Sequence, residues 1–246
     1  MKTFLRPLVP LVVLPFAVAC SDASPATTTP PSDAGADRST LVDGSFTVAD
    51  GGAIRADRFV TDVVDFSPGD CAGFGVAQMP GIVQGPPVGF GKMQGSTNVV
   101  SLGKGGSITL GFGQNAIVDA PGPDFVVFEN TFVYGNDLLW AEPGEVSVSE
   151  DGKTWTTFPC TATAAPYGAC AGWHPVLSSP DDGISPIDFP ACGGDGFDLA
   201  DVGVARARFV KIRDMGGGDC AASPKDKTNN VGFDLDAIAI LHAEKP

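Results

Sequence analysis

The stretch GEVSVSEDGKTWTTF, Gly144 to Phe158, decides the fold class. Val146 and Val148 alternate with Ser147 and Ser149, the period-two pattern of a strand with one dry face. Asp151-Gly152 supply a turn and Trp155 sits on the returning strand, so the segment reads as a β-hairpin with Trp155 expected in the core.

The same kind of run recurs outward in both directions. Candidate strands are Ser45 to Val48, Arg58 to Phe66, Val99 to Leu102, Ser107 to Phe112, Asp124 to Asn130, Glu145 to Ser149, Thr154 to Phe158, Phe209 to Arg213 and Asp234 to Leu241. Gly, Pro, Asp and Asn separate them, and amphipathic helical periodicity is nearly absent. With 32 Gly and 21 Pro the chain is a poor helix former, and the strand count suits an all-β sandwich or jelly roll.

The hairpin resembles the V-S-x-D-G-x-x-W hairpin of discoidin-type and related galactose-binding-like β-sandwiches. ARFVKIRD, Ala207 to Asp214, resembles their later strand, and DLDAIAIL, Asp234 to Leu241, is similar to their closing strand. A closer resemblance follows an ordered set of motifs: VVDFSPG, GPPVGFG, NVVSLGKGGSITLGF, GPDFVVFENTF, AEPGEVSVSEDG, GFDLADVG, ARFVKIRD and GFDLDAIAIL. This succession is similar to a family of bacterial cell-surface proteins and lipoproteins. The resemblance implies a galactose-binding-like fold and a surface location, and it brings no activity.

The N-terminus gives an address of its own. Lys2 and Arg6 precede the apolar run Leu8 to Val18, which is interrupted by proline and shorter than the ~20 residues of a membrane-spanning helix. Val18-Ala19-Cys20 resembles a lipobox, with Ala17 where Leu is usual, so residues 1–19 are expected to be a signal peptide and Cys20 a lipidation site; the alternative is a secreted protein cleaved after Ala19. Residues 20–38 are rich in Ser, Thr, Pro, Ala and Asp and read as a disordered tether. Residues 39–246 then read as one β-sandwich domain, lipid-anchored in the bacterial cell envelope, at the outer membrane or cell surface.

The formal charge is −14, or −16 without Lys2 and Arg6, a poor match for the phosphates of nucleic acid. Apart from Cys20, five cysteines remain and cannot all pair. Cys160 and Cys170 bracket a short turn-rich loop and are the first expected disulfide; Cys192 with Cys220 is the second, leaving Cys71 over. Buried free thiols are the alternative.

Carboxylates recur inside apolar runs. GFDLADVG, Gly196 to Gly203, returns as GFDLDAIA, Gly232 to Ala239, and PGPDFVVFENTF ends its apolar run on Glu129-Asn130. Oxygen ligands at strand ends and in Gly-rich loops suit Ca²⁺, so Glu129, Asn130, Asp195, Asp198, Asp234 and Asp236 are candidate ligands, with both copies converging on one hub. The bland readings are a helical-turn cap at Asp198 or Asp234, Asx turns at Asp124 and Asp151, and pairing of Glu129 or Asp214 with Arg206, Arg208 or Arg213.

Catalytic motifs are thin. Only His174 and His242 exist, no G-x-S-x-G occurs, and no phosphate cradle is formed by GFGQN or GKGGS. Trp140 in NDLLWAEPG and Trp173 in AGWHP are candidate ligand-binding aromatics. The expected role is a non-catalytic binding or adhesion module for a glycan or an envelope protein. A carbohydrate-active hydrolase using paired carboxylates, or a purely structural envelope protein, is the alternative.

Overall fold

The computed structural model describes residues 41–42, 44–47, 52–161, 164–216, 220 and 231–245. Ten strands form its two main antiparallel sheets: β1 (Asp62–Ser67), β2 (Val100–Ser101), β3 (Ser107–Gly111), β4 (Phe125–Glu129), β5 (Gly144–Ser149), β6 (Thr156–Thr157), β7 (Cys170–Ala171), β8 (Asp195–Phe197), β9 (Phe209–Asp214) and β10 (Asp234–Ile240). The first sheet runs β6-β5-β9-β3-β1, with β7 beside β6 on the same edge of β5, and the second runs β8-β4-β10-β2. The only helices among the described residues are short 3₁₀ turns, so the fold is all-β and sandwich-like, and none of them is long and apolar enough to cross a membrane. The expected signal peptide, Cys20 and the tether lie outside the described residues.

Alternation builds the interface between the sheets. Val148 pairs with Val210, Val210 with Leu110, and Leu110 with Val63, a cross-strand row through the first sheet. Ile108, Leu110, Val146, Val148, Val210 and Ile212 share one core with Val100, Phe125, Val127, Leu235, Ile238 and Ile240 of the second. The Phe125 ring stacks on Phe197 at 5.2 Å and meets Phe158 at 6.1 Å. Each such fully buried ring contributes ~2–3 kcal/mol.

β4 is apolar on both sides because both are covered. Its Val126 and Phe128 pack with Ala237 and Ala239 against a second cluster that includes Phe46, Ile54, Phe59, Val176 and Cys192. Two strands carry irregular register. A shift between Val63 and Asp65 disturbs the edge strand β1, and another between Leu235 and Ala237 leaves Asp236 as the extra residue of a bulge.

Two expectations are corrected here. Trp155 is only partly buried: Ser147 pairs with both Thr157 and Lys211, which puts Trp155 on the outer face, its ring 4.0 Å from the Lys211 Nζ, and Phe158 fills the core instead. The disulfides are Cys160–Cys170 and Cys71–Cys220, so Cys192 does not pair with Cys220 and Cys71 is not left over. Cys192 is held in the apolar cluster against Val176, while its own carbonyl accepts the Leu177 and Ser178 N–H groups. Burial pushes its thiol up to about 12.

Candidate functional site

A separate hairpin projects an aromatic surface. Phe132–Tyr134 pairs with Leu138–Trp140 in the register Leu138 to Tyr134, Leu139 to Val133 and Trp140 to Phe132. Its turn uses a left-handed Gly135 and a left-handed Asp137, a conformation that Asp tolerates better than most residues. Phe132 stacks on Trp140 at 6.2 Å and Tyr134 meets Trp140 edge-on at 6.3 Å. Trp140 nevertheless leaves 46% of its surface exposed, with Tyr134, Leu138 and Leu139 exposed around it. The Val133 N–H donates to the Lys92 carbonyl at 2.8 Å, which ties the hairpin to the segment carrying exposed Phe90 and Met93. Among the described residues, most of the exposed large apolar side chains therefore belong to this region.

Carboxylates gather behind the hairpin. Trp140 Nε1 donates to Glu142 Oε2 at 3.2 Å. Three successive backbone N–H groups then go to three different carboxylates: Gly232 to Glu142 Oε1 at 3.0 Å, Phe233 to Asp214 Oδ1 at 2.8 Å, and Asp234 to Glu129 Oε1 at 3.3 Å. Gly232 is required there, because its φ is +89° and a Cβ would lie 2.8 Å from Asp214 Oδ1. Glu129 Oε2 accepts the Thr131 hydroxyl at 2.6 Å, and Asp214 Oδ2 accepts the Gly105 N–H at 2.9 Å.

Asp234, only 4% exposed, keeps one oxygen unsatisfied: Oδ1 is the buried side-chain atom without a hydrogen-bond partner among the described residues. The Ser101 hydroxyl, donating to the Val231 carbonyl at 3.1 Å, and the Asn130 side chain lie near enough to ease the charge, yet neither closes a bond on Oδ1. Burial pushes the Asp234 carboxyl up to about 6. Burial, and then the Asp234 charge, push Glu142 up to about 7 and hold Glu129 well above the usual carboxylate range. Among the described residues no Lys, Arg or His forms an ion pair with Glu129, Glu142, Asp214 or Asp234; Arg213 goes to Glu145, and Arg206 to Glu150 and Glu244.

Of the remaining candidates, Asn130 touches this cluster and Asp195 and Asp198 take other partners. Asn130 sits beside Asp234, donating its N–H to the Asp234 carbonyl at 3.2 Å, but its Oδ1 is taken by the Ser96 N–H. Asp236 accepts the Val88 N–H at 2.9 Å. Asp195 accepts the Gly172 and Trp173 N–H groups at 2.7 and 3.1 Å and pairs with His174 Nδ1 at 2.6 Å, which raises the imidazole pKa. Asp198 caps a 3₁₀ turn through the Ala200 N–H. It also offers an oxygen to a group with Asp119 and Asp124 in which the ligand atoms lie within 4.8 Å of one another. Asp124 in that group is satisfied by Ala120, Leu199 and His242. The two GFDL copies thus serve different clusters and do not form one hub.

Trp173 is partly buried against Tyr167 and His174, and its ring makes no aromatic contact with Trp140. Glu142 and Phe132 escape sequence reasoning, and Asp214 enters it only as a candidate partner for an arginine, a pairing that the described ion pairs do not contain. Glu142 carries one visible signal, its place two residues after Trp140 and before Pro143-Gly144. No protein-family model matches the chain, and no curated protein matches it.

Proposed function

We propose that this is a lipid-anchored cell-envelope protein with a galactose-binding-like β-sandwich, acting as a non-catalytic module that binds a glycan through the Phe132–Trp140 hairpin. The observation that carries the reading is the half-exposed Trp140 ring, braced by Phe132 and Tyr134 and hydrogen-bonded to Glu142. An exposed indole offers its face to the C–H side of a sugar ring, and a carboxylate at its edge accepts sugar hydroxyls. The motif succession and the lipobox-like Cys20 support the envelope location.

The test is retention of the protein on a panel of envelope and extracellular polysaccharides, parent against Trp140→Ala. Retention of the parent that is lost in the variant supports the glycan reading. No retention, with capture of a specific envelope protein instead, favours an adhesion role; neither outcome leaves a structural protein.

A carbohydrate-active hydrolase is the second reading, favoured by Glu142, whose carboxyl is held at about 7, the protonation a general acid needs near neutral pH. Release of reducing sugar by the parent, abolished by Glu142→Gln, would replace binding with catalysis.

A further inference from the structure

We infer that Glu142 is a proton-operated latch on the Trp140 indole, closed while its carboxylate is ionised and open once a proton takes the place of the indole N–H. The inference rests on the glycan reading only for what the latch regulates. The latch itself belongs to the hairpin and the carboxylates behind it.

Both oxygens of Glu142 are in use. Oε2 accepts the Trp140 Nε1–H at 3.2 Å and Oε1 accepts the Gly232 N–H at 3.0 Å. An ionised carboxylate only accepts, so it holds both donors at once; a carboxylic acid carries a hydrogen on one oxygen, which then becomes a donor and a much poorer acceptor. The two bonds do not yield equally. Gly232 belongs to a backbone segment whose next two N–H groups are fixed by Asp214 and Glu129, whereas Trp140 stands on a two-stranded hairpin with every residue of its strand exposed. The proton therefore settles on Oε2, and the indole is the donor that leaves.

The surroundings favour that proton. Asp234 on β10 and Asp214 at the end of β9 both act on Glu142 with negative charge, and Glu129 at the end of β4 belongs to the same group. The loop after β7 packs on the Glu142 backbone, a Cβ at Gly172 lying 2.4 Å from its carbonyl oxygen, and His174 and Asp195 of the segments beyond are paired with each other. Arg213 on β9 is turned to Glu145. Among the described residues no cationic side chain pairs with Glu129, Glu142, Asp214 or Asp234, and the carboxylates whose oxygens gather within 4.8 Å are Asp119, Asp124 and Asp198 rather than these. A proton, not a shared metal ion, is the charge that relieves the group. Burial, and then Asp234, place the Glu142 carboxyl at about 7. Above neutrality the indole is fixed against a charged acceptor; below it the indole is free to turn, and the acceptor for sugar hydroxyls is lost in the same step.

The experiment follows the indole N–H resonances of the isotope-labelled full chain by NMR from about pH 5 to about pH 8.5, with Trp140 assigned by its loss in Trp140→Phe. Expected is a Trp140 resonance that titrates with a midpoint near 7 in the parent and does not titrate in Glu142→Gln. Asp234→Asn, which removes a neighbouring charge, moves the midpoint down. His174→Gln, which removes the titrating imidazole of the adjoining loop, leaves it in place. Glycan retention weakens about tenfold between the two ends of the range, the scale of one hydrogen bond to a charged group. A flat Trp140 resonance overturns the inference, as does a titration that persists in Glu142→Gln, disappears in His174→Gln or keeps its midpoint in Asp234→Asn. Retention that ignores pH while the resonance moves overturns the regulatory role. A titrating indole with no retention at any pH removes the glycan reading and leaves the latch standing.

Discussion

Trp140 Nε1 and Glu142 Oε2 lie 3.2 Å apart, so the half-exposed indole of the aromatic hairpin is fastened to the outermost member of a buried carboxylate group. Two residues separated by one alanine link a surface for recognition to an interior charge cluster. The bond orients the indole without burying it.

Trp140→Ala is expected to leave the fold intact. The side chain stands on a two-stranded hairpin outside both main sheets, so the change in unfolding free energy stays within about 0.5 kcal/mol. Glycan retention falls below detection in the same variant. Trp140→Phe keeps a ring but loses the bond to Glu142, so it retains a weakened interaction, read by affinity electrophoresis.

His174 supplies a pH-dependent contribution. Its hydrogen bond to Asp195 raises the imidazole pKa above the ordinary value, so the folded state binds the proton more tightly than the unfolded chain. The stabilisation is complete below about pH 6.5, and it is lost as pH rises through the raised folded value. Denaturant midpoints of the parent and His174→Gln should differ most near pH 5.5 and converge in alkali. With the ring half exposed, the difference amounts to a few tenths of a kcal/mol.

Asp195 itself is worth more. It is buried and satisfies two backbone N–H groups as well as His174, so Asp195→Ala strands the Gly172 and Trp173 donors. A loss of about 2–3 kcal/mol is expected in urea unfolding at neutral pH. Asp195→Asn, which retains an oxygen acceptor, costs less.

Cys192 should resist alkylation in the native protein, because burial holds its thiol near 12. Peptide mapping after iodoacetamide treatment should find Cys192 modified only once denaturant is present. Replacing Cys71 and Cys220 together with Ser removes a link spanning 149 positions and costs about 2–4 kcal/mol. Equal stability of that double variant would show that the link is dispensable.

Much of the fold was legible because alternation is local. Val146 and Val148 and the FVVFE run announce their strands through side-chain period alone, and burial on one or both faces follows from it. Trp155 was misplaced because a face depends on register, and the pairing of Ser147 with Thr157 is settled across the turn rather than within either strand. Asp234 and Glu129 could be suspected from their apolar neighbours. Glu142 could not, and Asp214 only as a partner for an arginine, since each precedes or ends a strand in an ordinary way. They meet Asp234 only after β5 and β9 pair, with Gly144 opposite Asp214. The Cys71–Cys220 link was hidden for the same reason, as no spacing rule reaches between distant segments.

The irregular β1 has a further meaning for how such a chain lives among copies of itself. An outermost strand invites a neighbour to extend the ladder and start an aggregate. Here the slip between Val63 and Asp65 breaks the regular spacing of free backbone groups, and Asp62 and Asp65 place negative charge along the rim. At the opposite rim, β6 offers only two residues to a newcomer. Main-chain polymerisation is thus discouraged at both margins of the larger sheet, and sticky contact is left to the side chains of the aromatic hairpin, where it can be selective.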